Sequence, residues 1–269
     1  VGMIKRFNRI PGDTRVLPSA RPFRLNGPVQ GRAVLLLHGY TGRAGEMRYV
    51  AERLHSYGLT VSVPRLPGHG TNNRDFRRTS WRDWLGHAID AYLELHSDYD
   101  DVMVGGLSMG GVMSVILASH FPVSRLALFA PALYTRNRLV AAAPLLRYVV
   151  PPYKTDRTES SDDPERLFMS EEYWSWRWPG QTASLHRLIR AARRALPAVT
   201  APTLTIVSEG DLAVPTTVAD LIEGRSSAAT TKTIRLTESA HVVTDGVEKE
   251  RVADETCEWF VPEAPIITV

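Results

Sequence analysis

Ser108 stands in the stretch DVMVGGLSMGG (Asp101–Gly111) with glycines two positions to either side, Gly106-Leu107-Ser108-Met109-Gly110. A short hydrophobic run precedes it and the helix-like MGGVMSVILASHF follows, so the serine falls on a strand-to-helix turn. The chain must reverse sharply there, which holds the central residue in a strained backbone conformation. Glycines at the flanking positions remove the side chains that would collide, and the turn lifts the hydroxyl clear of the sheet. The same turn directs the Met109 N–H, backed by the positive end of the helix, at whatever the serine attacks. The chemistry this predicts is nucleophilic. The alternatives are a glycine turn that only packs helix against strand, and a phosphate-binding loop. The second fails because neither G-x-G-x-x-G nor G-x-x-x-x-G-K-[ST] occurs in the chain.

A serine hydroxyl needs a base to take its proton and a third group to orient that base. Of eight histidines, His55, His87, His96, His120 and His186 fall on or beside expected helices, His38 lies in LLLHGYTG and His69 in PGHG. His241, in TESAHVVTDG, follows the last expected strand, on a loop at the strand ends where Ser108 also sits, and is the expected base. The acid is expected in TLTIVSEGDLAVP: Asp211, with Glu209 as its close competitor and Asp211 preferred because it lies farther out on the loop. Asp245 is too near His241 in sequence for an easy return contact. HGYTG, after the strand ending at Leu37, offers the Tyr40 N–H as a second donor to a developing oxyanion beside that of Met109.

The elements that must position these groups are legible as an alternation. Apolar runs at 32–39, 59–64, 101–106, 124–130, 203–208 and 232–237 read as strands, and Glu46–Tyr57, Ser80–His96, Met109–Phe121, Thr216–Gly224 and Glu248–Phe260 read as helices. This is an α/β pattern with a mainly parallel central sheet and helices on both faces. Ser80 and Asp83 have the spacing of a capping box, and Trp81, Trp84, Leu85 and Ala88 form the apolar stripe behind them. The alternation stops after Pro131. Residues 132–197, with RLVAAAPLLRYVVPPY, EEYWSWRWPG and the basic HRLIRAARR, contain no convincing strand and read as a helical insertion between core segments 1–131 and 198–269. Arg187, Arg190 and Arg194 read as a polar helix face, and no long exposed apolar stretch suited to a lipid droplet is expected. The final PEAPIITV reads as a tail.

At 269 residues the chain can bury a sizeable single core. Its net charge of +3 comes from 32 basic residues scattered among 29 acids, which does not point to nucleic acid. The lone Cys257 excludes an internal disulfide, and the start VGMIKRFNRIPGD lacks the apolar run of a signal peptide, so a cytoplasmic location is expected. No run is long enough for an integral membrane segment. Oligomeric state cannot be read.

AVLLLHGYTG, PRLPGHGTN, VGGLSMGGVMS, APTLTIVSEGDLAVP and SAHVVTDG together resemble, in order and spacing, bacterial carboxylesterases and monoacylglycerol lipases of the α/β-hydrolase superfamily. The resemblance covers most of residues 30–260 outside the insertion. It implies the α/β-hydrolase fold, the catalytic set Ser108, Asp211 and His241, oxyanion N–H groups from Tyr40 and Met109, and a helical cap insertion over an acyl pocket. Tyr40 stands where Phe is frequent, which would make the pocket entrance more polar; Thr244 stands where an aliphatic residue is frequent and bears on the alcohol side. The expected activity is hydrolysis of short- to medium-chain carboxylic esters through an acyl-serine, with an optimum between butyrate and octanoate implied by the resemblance. Trp176 and Trp178 are candidate pocket walls or cap core. No metal or organic cofactor is called for, and the partner is a small-molecule ester. A monoacylglycerol lipase, another acyl hydrolase or an acyltransferase would use the same machinery. A noncatalytic small-molecule receptor on this scaffold would ordinarily lack one member of the set.

Overall fold

The computed structural model describes residues 15–156 and 161–262; the start of the chain and all but Pro262 of the expected tail lie outside them. In chain order the strands are β1 Phe23–Leu25, β2 Arg32–Leu37, β3 Thr60–Val63, β4 Asp101–Leu107, β5 Leu126–Phe129, β6 Tyr153–Lys154, β7 Trp176–Arg177, β8 Thr203–Ser208 and β9 Thr231–Leu236. Seven of them form one sheet in the order β1-β3-β2-β4-β5-β8-β9. All neighbours are parallel except β1, which caps one edge antiparallel to β3. The six strands expected from sequence are present within two residues of their expected limits. β1 escaped because three residues are too few to show a period.

β4 lies in the middle of the sheet and its residues from Val102 to Leu107 are buried, as a strand covered by helices on both faces must be. The helices Trp81–Asp98 and Met109–His120 cover one face, and Arg48–Ser56 and Lys249–Phe260 contribute to a second apolar cluster on the other. Trp81–Asp98 opens with the expected capping box between Ser80 and Asp83, and Trp84, Ala88, Tyr92 and Leu95 form its buried stripe. A short helix, Asn73–Phe76, was not expected; the Asn72 side chain caps it by accepting from the Asp75 N–H at 3.0 Å.

Between β5 and β8 the described chain forms the helices Leu139–Leu146, Pro164–Met169 and Pro179–Ala195, with a π turn at Ser170–Trp174. It also holds a strand pair that sequence did not anticipate, β6 against β7, in which each strand has two residues. Polar contacts fasten this segment to the loop after β3. The Tyr173 hydroxyl donates to the Gly68 carbonyl at 2.9 Å and accepts from the Thr71 N–H at 2.8 Å. Glu172 accepts from the Asn73 backbone at 3.0 Å, and the Gln181 amide donates to the Arg77 carbonyl at 2.9 Å. Phe76 fills the space between, in ring contact with Tyr40, His69, Trp84, Tyr173 and Trp178. Tyr173 and Trp178 are thus buried packing residues, whereas Trp176 is only partly buried.

Tyr173→Phe keeps the ring but leaves the buried Thr71 N–H without its acceptor and the Gly68 carbonyl with only the Thr71 hydroxyl, at 3.3 Å. The expected loss is about 1–3 kcal/mol of stability, measured by urea denaturation, with little change of m-value.

Candidate active site

The turn at Ser108 has the strain its sequence demands: φ is 54° and ψ is −112°, a region that side-chain-bearing residues rarely enter. Close packing holds it there. A side chain at Gly106 would drive into the Gly110 backbone and the Ser114 hydroxyl, and one at Gly110 into the Leu37 and His38 carbonyls. The Ser108 N–H is tied to the Phe129 carbonyl at 2.9 Å, which anchors the turn to β5. Met109 begins the following helix, so its N–H is one of those that no helical carbonyl can satisfy.

His241 and Asp211 come to this turn from the ends of β9 and β8. His241 Nε2 lies 2.8 Å from Ser108 Oγ, and His241 Nδ1 lies 2.7 Å from Asp211 Oδ2. Asp211 is 1% exposed and its other oxygen accepts from the Ala213 and Val214 N–H groups at 2.7 and 3.0 Å. Burial pushes the Asp211 carboxyl up, but the hydrogen bond and charge of His241 and these two N–H groups outweigh it and hold it below its ordinary value. Glu209, the sequence competitor, is exposed. With Asp211 accepting from Nδ1–H, Nε2 of a neutral imidazole is the atom that faces the serine proton.

The loop after β2 comes against the serine: a Cβ on Gly39 would stand 3.3 Å from Ser108 Cβ. The loop turns at Thr41, φ 56°, and closes with the Gly42 N–H on the Gly39 carbonyl at 3.1 Å. The Tyr40 hydroxyl does not reach a pocket entrance. The ring packs edge-on to Phe76 and Trp84 at 5.3 and 5.8 Å, and burial raises the phenol above its ordinary value. Thr244 is fully buried, in the turn Val243–Asp245. His38 and His69 are interior braces. His38 Nε2 accepts from the Leu66 N–H at 3.1 Å, its Nδ1 meets the Gly39 carbonyl at 3.0 Å, and burial pushes it down to about 4. Among the described residues no group of three or more His, Cys, Asp or Glu side chains converges as a metal would require.

Two acids that sequence reasoning missed support these loops. Glu248, at the N-cap of the last helix, accepts from the Glu238 and Ser239 N–H groups at 3.0 and 2.9 Å and from the Ser239 hydroxyl at 2.9 Å. It thereby fixes the loop that carries His241. Glu46 is buried in the turn Ala44–Met47, which packs against Val243–Asp245, and its carboxyl fills the space a side chain at Gly42 would take. Burial pushes Glu46 up to about 7, against the opposing pull of Arg43 and His241. Arg43 also pairs with Glu165 of the inserted segment at 3.6 Å.

The chain is similar to known proteins. The model of the alpha/beta hydrolase family matches residues 34–255. The chain is 32% identical to a thermostable monoacylglycerol lipase of Bacillus sp. (strain H-257), over 93% of this chain and 97% of that one. It is 27% identical to a carboxylesterase of Bacillus subtilis (strain 168), over 89% of this chain and 96% of that one. A solved structure from the metagenome-derived lipolytic enzymes LipS and LipT superposes with a TM-score of 0.81 at 27% identity, covering 93% of this chain and all of its own. The chain belongs to the alpha/beta hydrolase family, and within it to the lipases and esterases. The resemblance and fold class expected from sequence both hold.

The Glu46 carboxyl makes stability depend on pH. Between the ordinary glutamate value of 4.5 and about 7 the folded chain binds more protons than the unfolded one, so this contribution to stability falls as pH rises through that window. Glu46→Gln should therefore gain on the native protein as pH is raised from about 5 to about 8, read as a relative shift of urea midpoints.

Proposed function

We propose that this hydrolase is a serine carboxylesterase acting on short- to medium-chain esters through an acyl-serine intermediate. The observation that carries the reading is the pair of hydrogen bonds at 2.7 and 2.8 Å that joins Asp211, His241 and Ser108. In this mechanism Ser108 Oγ attacks the ester carbonyl carbon while His241 Nε2 takes its proton. The Tyr40 and Met109 N–H groups receive the charge that develops on the carbonyl oxygen. As the tetrahedral intermediate collapses, the C–O bond to the alcohol breaks and the proton passes from Nε2 to the leaving oxygen. Water then repeats the sequence on the acyl-enzyme, giving the carboxylic acid and restoring Ser108. Asp211 keeps the proton on Nδ1 and stabilises the imidazolium of both steps. Every group this cycle needs is a protein group, so the reading calls for no metal or organic cofactor.

In the same reading residues 132–197 form the cap over the acyl pocket. It is supported by the latches from Glu165, Glu172, Tyr173 and Gln181 to the loops around the site, and by the partly exposed edge of His241, whose side chain is 29% accessible. A second reading, monoacylglycerol hydrolysis, is favoured by the 32% identity to the Bacillus lipase. It differs only in the ester that the cap admits.

The test is a profile of kcat/KM across soluble esters of increasing acyl length. While the pocket has room each methylene adds about 0.8 kcal/mol of burial, so specificity rises severalfold per carbon and then falls where the chain meets the pocket's end. A peak between butyrate and octanoate supports the esterase; a preference for long-chain monoacylglycerols supports the second reading. Ser108→Ala should lose about four to six orders of magnitude in turnover while staying folded. Asp211→Asn should lose about four, and Glu209→Gln almost nothing. The reverse order for the two acids would reassign the orienting carboxylate.

A further inference from the structure

The two stretches that open and close the segment between β5 and β8 are electrically one-sided. Residues 132–155 and 173–208 hold nine of the chain's 32 Lys and Arg and none of its 29 Asp and Glu, so the remainder of the chain is net negative. These stretches contain the helices Leu139–Leu146 and Pro179–Ala195, which pack against one another. At one end Arg193 donates to the Tyr134 hydroxyl at 3.1 Å, close to the exposed Arg136 and Arg138. At the other, Arg147 and Tyr148 border a cleft shared with Gly180 and Gln181. The segment's acids lie in the stretch between, 156–172, where Glu165 contacts Ser19 and Arg43, Glu172 contacts Asn73, and Glu171 pairs with Lys154 at 3.7 Å.

Apolar side chains stand out among these cations. Leu145, Tyr148 and Val149 are each more than three-quarters exposed, and Leu139 more than half. Pro144 lies inside the short helix, which ends at Leu146 with only Val140 and Ala143 buried. Tyr148 and Val149, just beyond the helix, are left exposed, with the Arg147 guanidinium over the Tyr148 ring at 5.1 Å. The rim of the active site continues the face. Leu212, next to Asp211, is also more than three-quarters exposed. Arg136 joins it there, donating from its N–H to the Ala213 carbonyl at 2.8 Å and from Nε to the Asp211 carbonyl at 3.2 Å.

We propose that this face docks on an anionic phospholipid surface, its arginines against the phosphates and Leu145, Tyr148, Val149 and Leu212 in the acyl boundary. Exposed apolar side chains flanked by cations are what such a boundary binds. A second copy of the chain does not fit, because a two-fold contact through this face would set bases against bases. A nucleic acid would leave the aliphatic side chains stranded beside its phosphates. The benefit to catalysis, entry of a poorly soluble ester from the lipid side, rests on the esterase reading; the docking itself does not.

Flotation of the full chain with phosphatidylcholine vesicles, with and without roughly one-third phosphatidylglycerol, tests this at about 0.1 M salt. Binding is expected to the anionic vesicles and to be lost at high salt. Arg138→Glu with Arg147→Glu should weaken it about twentyfold or more. Tyr148→Ser with Val149→Ser should weaken it severalfold, both double variants keeping the native melting temperature and native turnover of a water-soluble short ester. Ser108→Ala should bind vesicles undiminished, which separates docking from chemistry. Equal binding to neutral and anionic vesicles, no binding to either, or native binding by both double variants would overturn the proposal. So would a dimer in sedimentation that the Tyr148–Val149 variant dissolves.

Discussion

Everything at the candidate site depends on one strained residue. Ser108 holds a positive φ because the chain has no other way to pass from a central buried strand into the helix packed upon it. The strain, of order 1–3 kcal/mol, persists because Gly106 and Gly110 let β4, its helix and the end of β2 approach to backbone contact. The same approach brings Gly39 against the serine, so one packing constraint sets both the hydroxyl and the loop that carries the Tyr40 N–H. Since β2, β5 and β8 are parallel to β4, their C-terminal loops open on the same edge.

The polar groups beneath the site are arranged to resist motion. Asp211 is fixed by two N–H groups before it meets His241, and Glu248 fixes the loop from which His241 projects. His38 ties the end of β2 to Leu66, after β3, through a buried neutral imidazole. A hydrogen bond within a fixed network costs little further ordering when the reacting geometry is reached, which is how preorganised sites lower a barrier. Glu46 differs from these. It is buried between two functional loops without the dense set of donors that holds Asp211 and Glu248 ionised, and burial raises its proton affinity instead.

The legible part of this molecule is the part written in local pattern. Glycines at fixed offsets around Ser108, apolar runs of strand length and loop residues after them led to the sheet and to the residues that meet at its edge, because a parallel sheet gathers its strand ends. Glu46 and Glu248 were illegible for the opposite reason. An acid at the start of a helical segment reads as ordinary N-terminal charge, and only the packing of one loop on another shows what it faces. β1 and the β6–β7 pair are too short to carry a period. The exposure of Tyr148 and Val149 was not legible, because an apolar run carries no local sign of where its helix ends.

The central claim is that Ser108 is the group that becomes acylated, and covalent labelling tests it most directly. After brief treatment with a fluorophosphonate and proteolysis, mass spectrometry should find one stoichiometric adduct, on the peptide carrying Ser108. The adduct should be absent when His241 is replaced by alanine under the same exposure, because the serine then lacks its base. An adduct on a different serine, or full labelling without His241, would contradict the account.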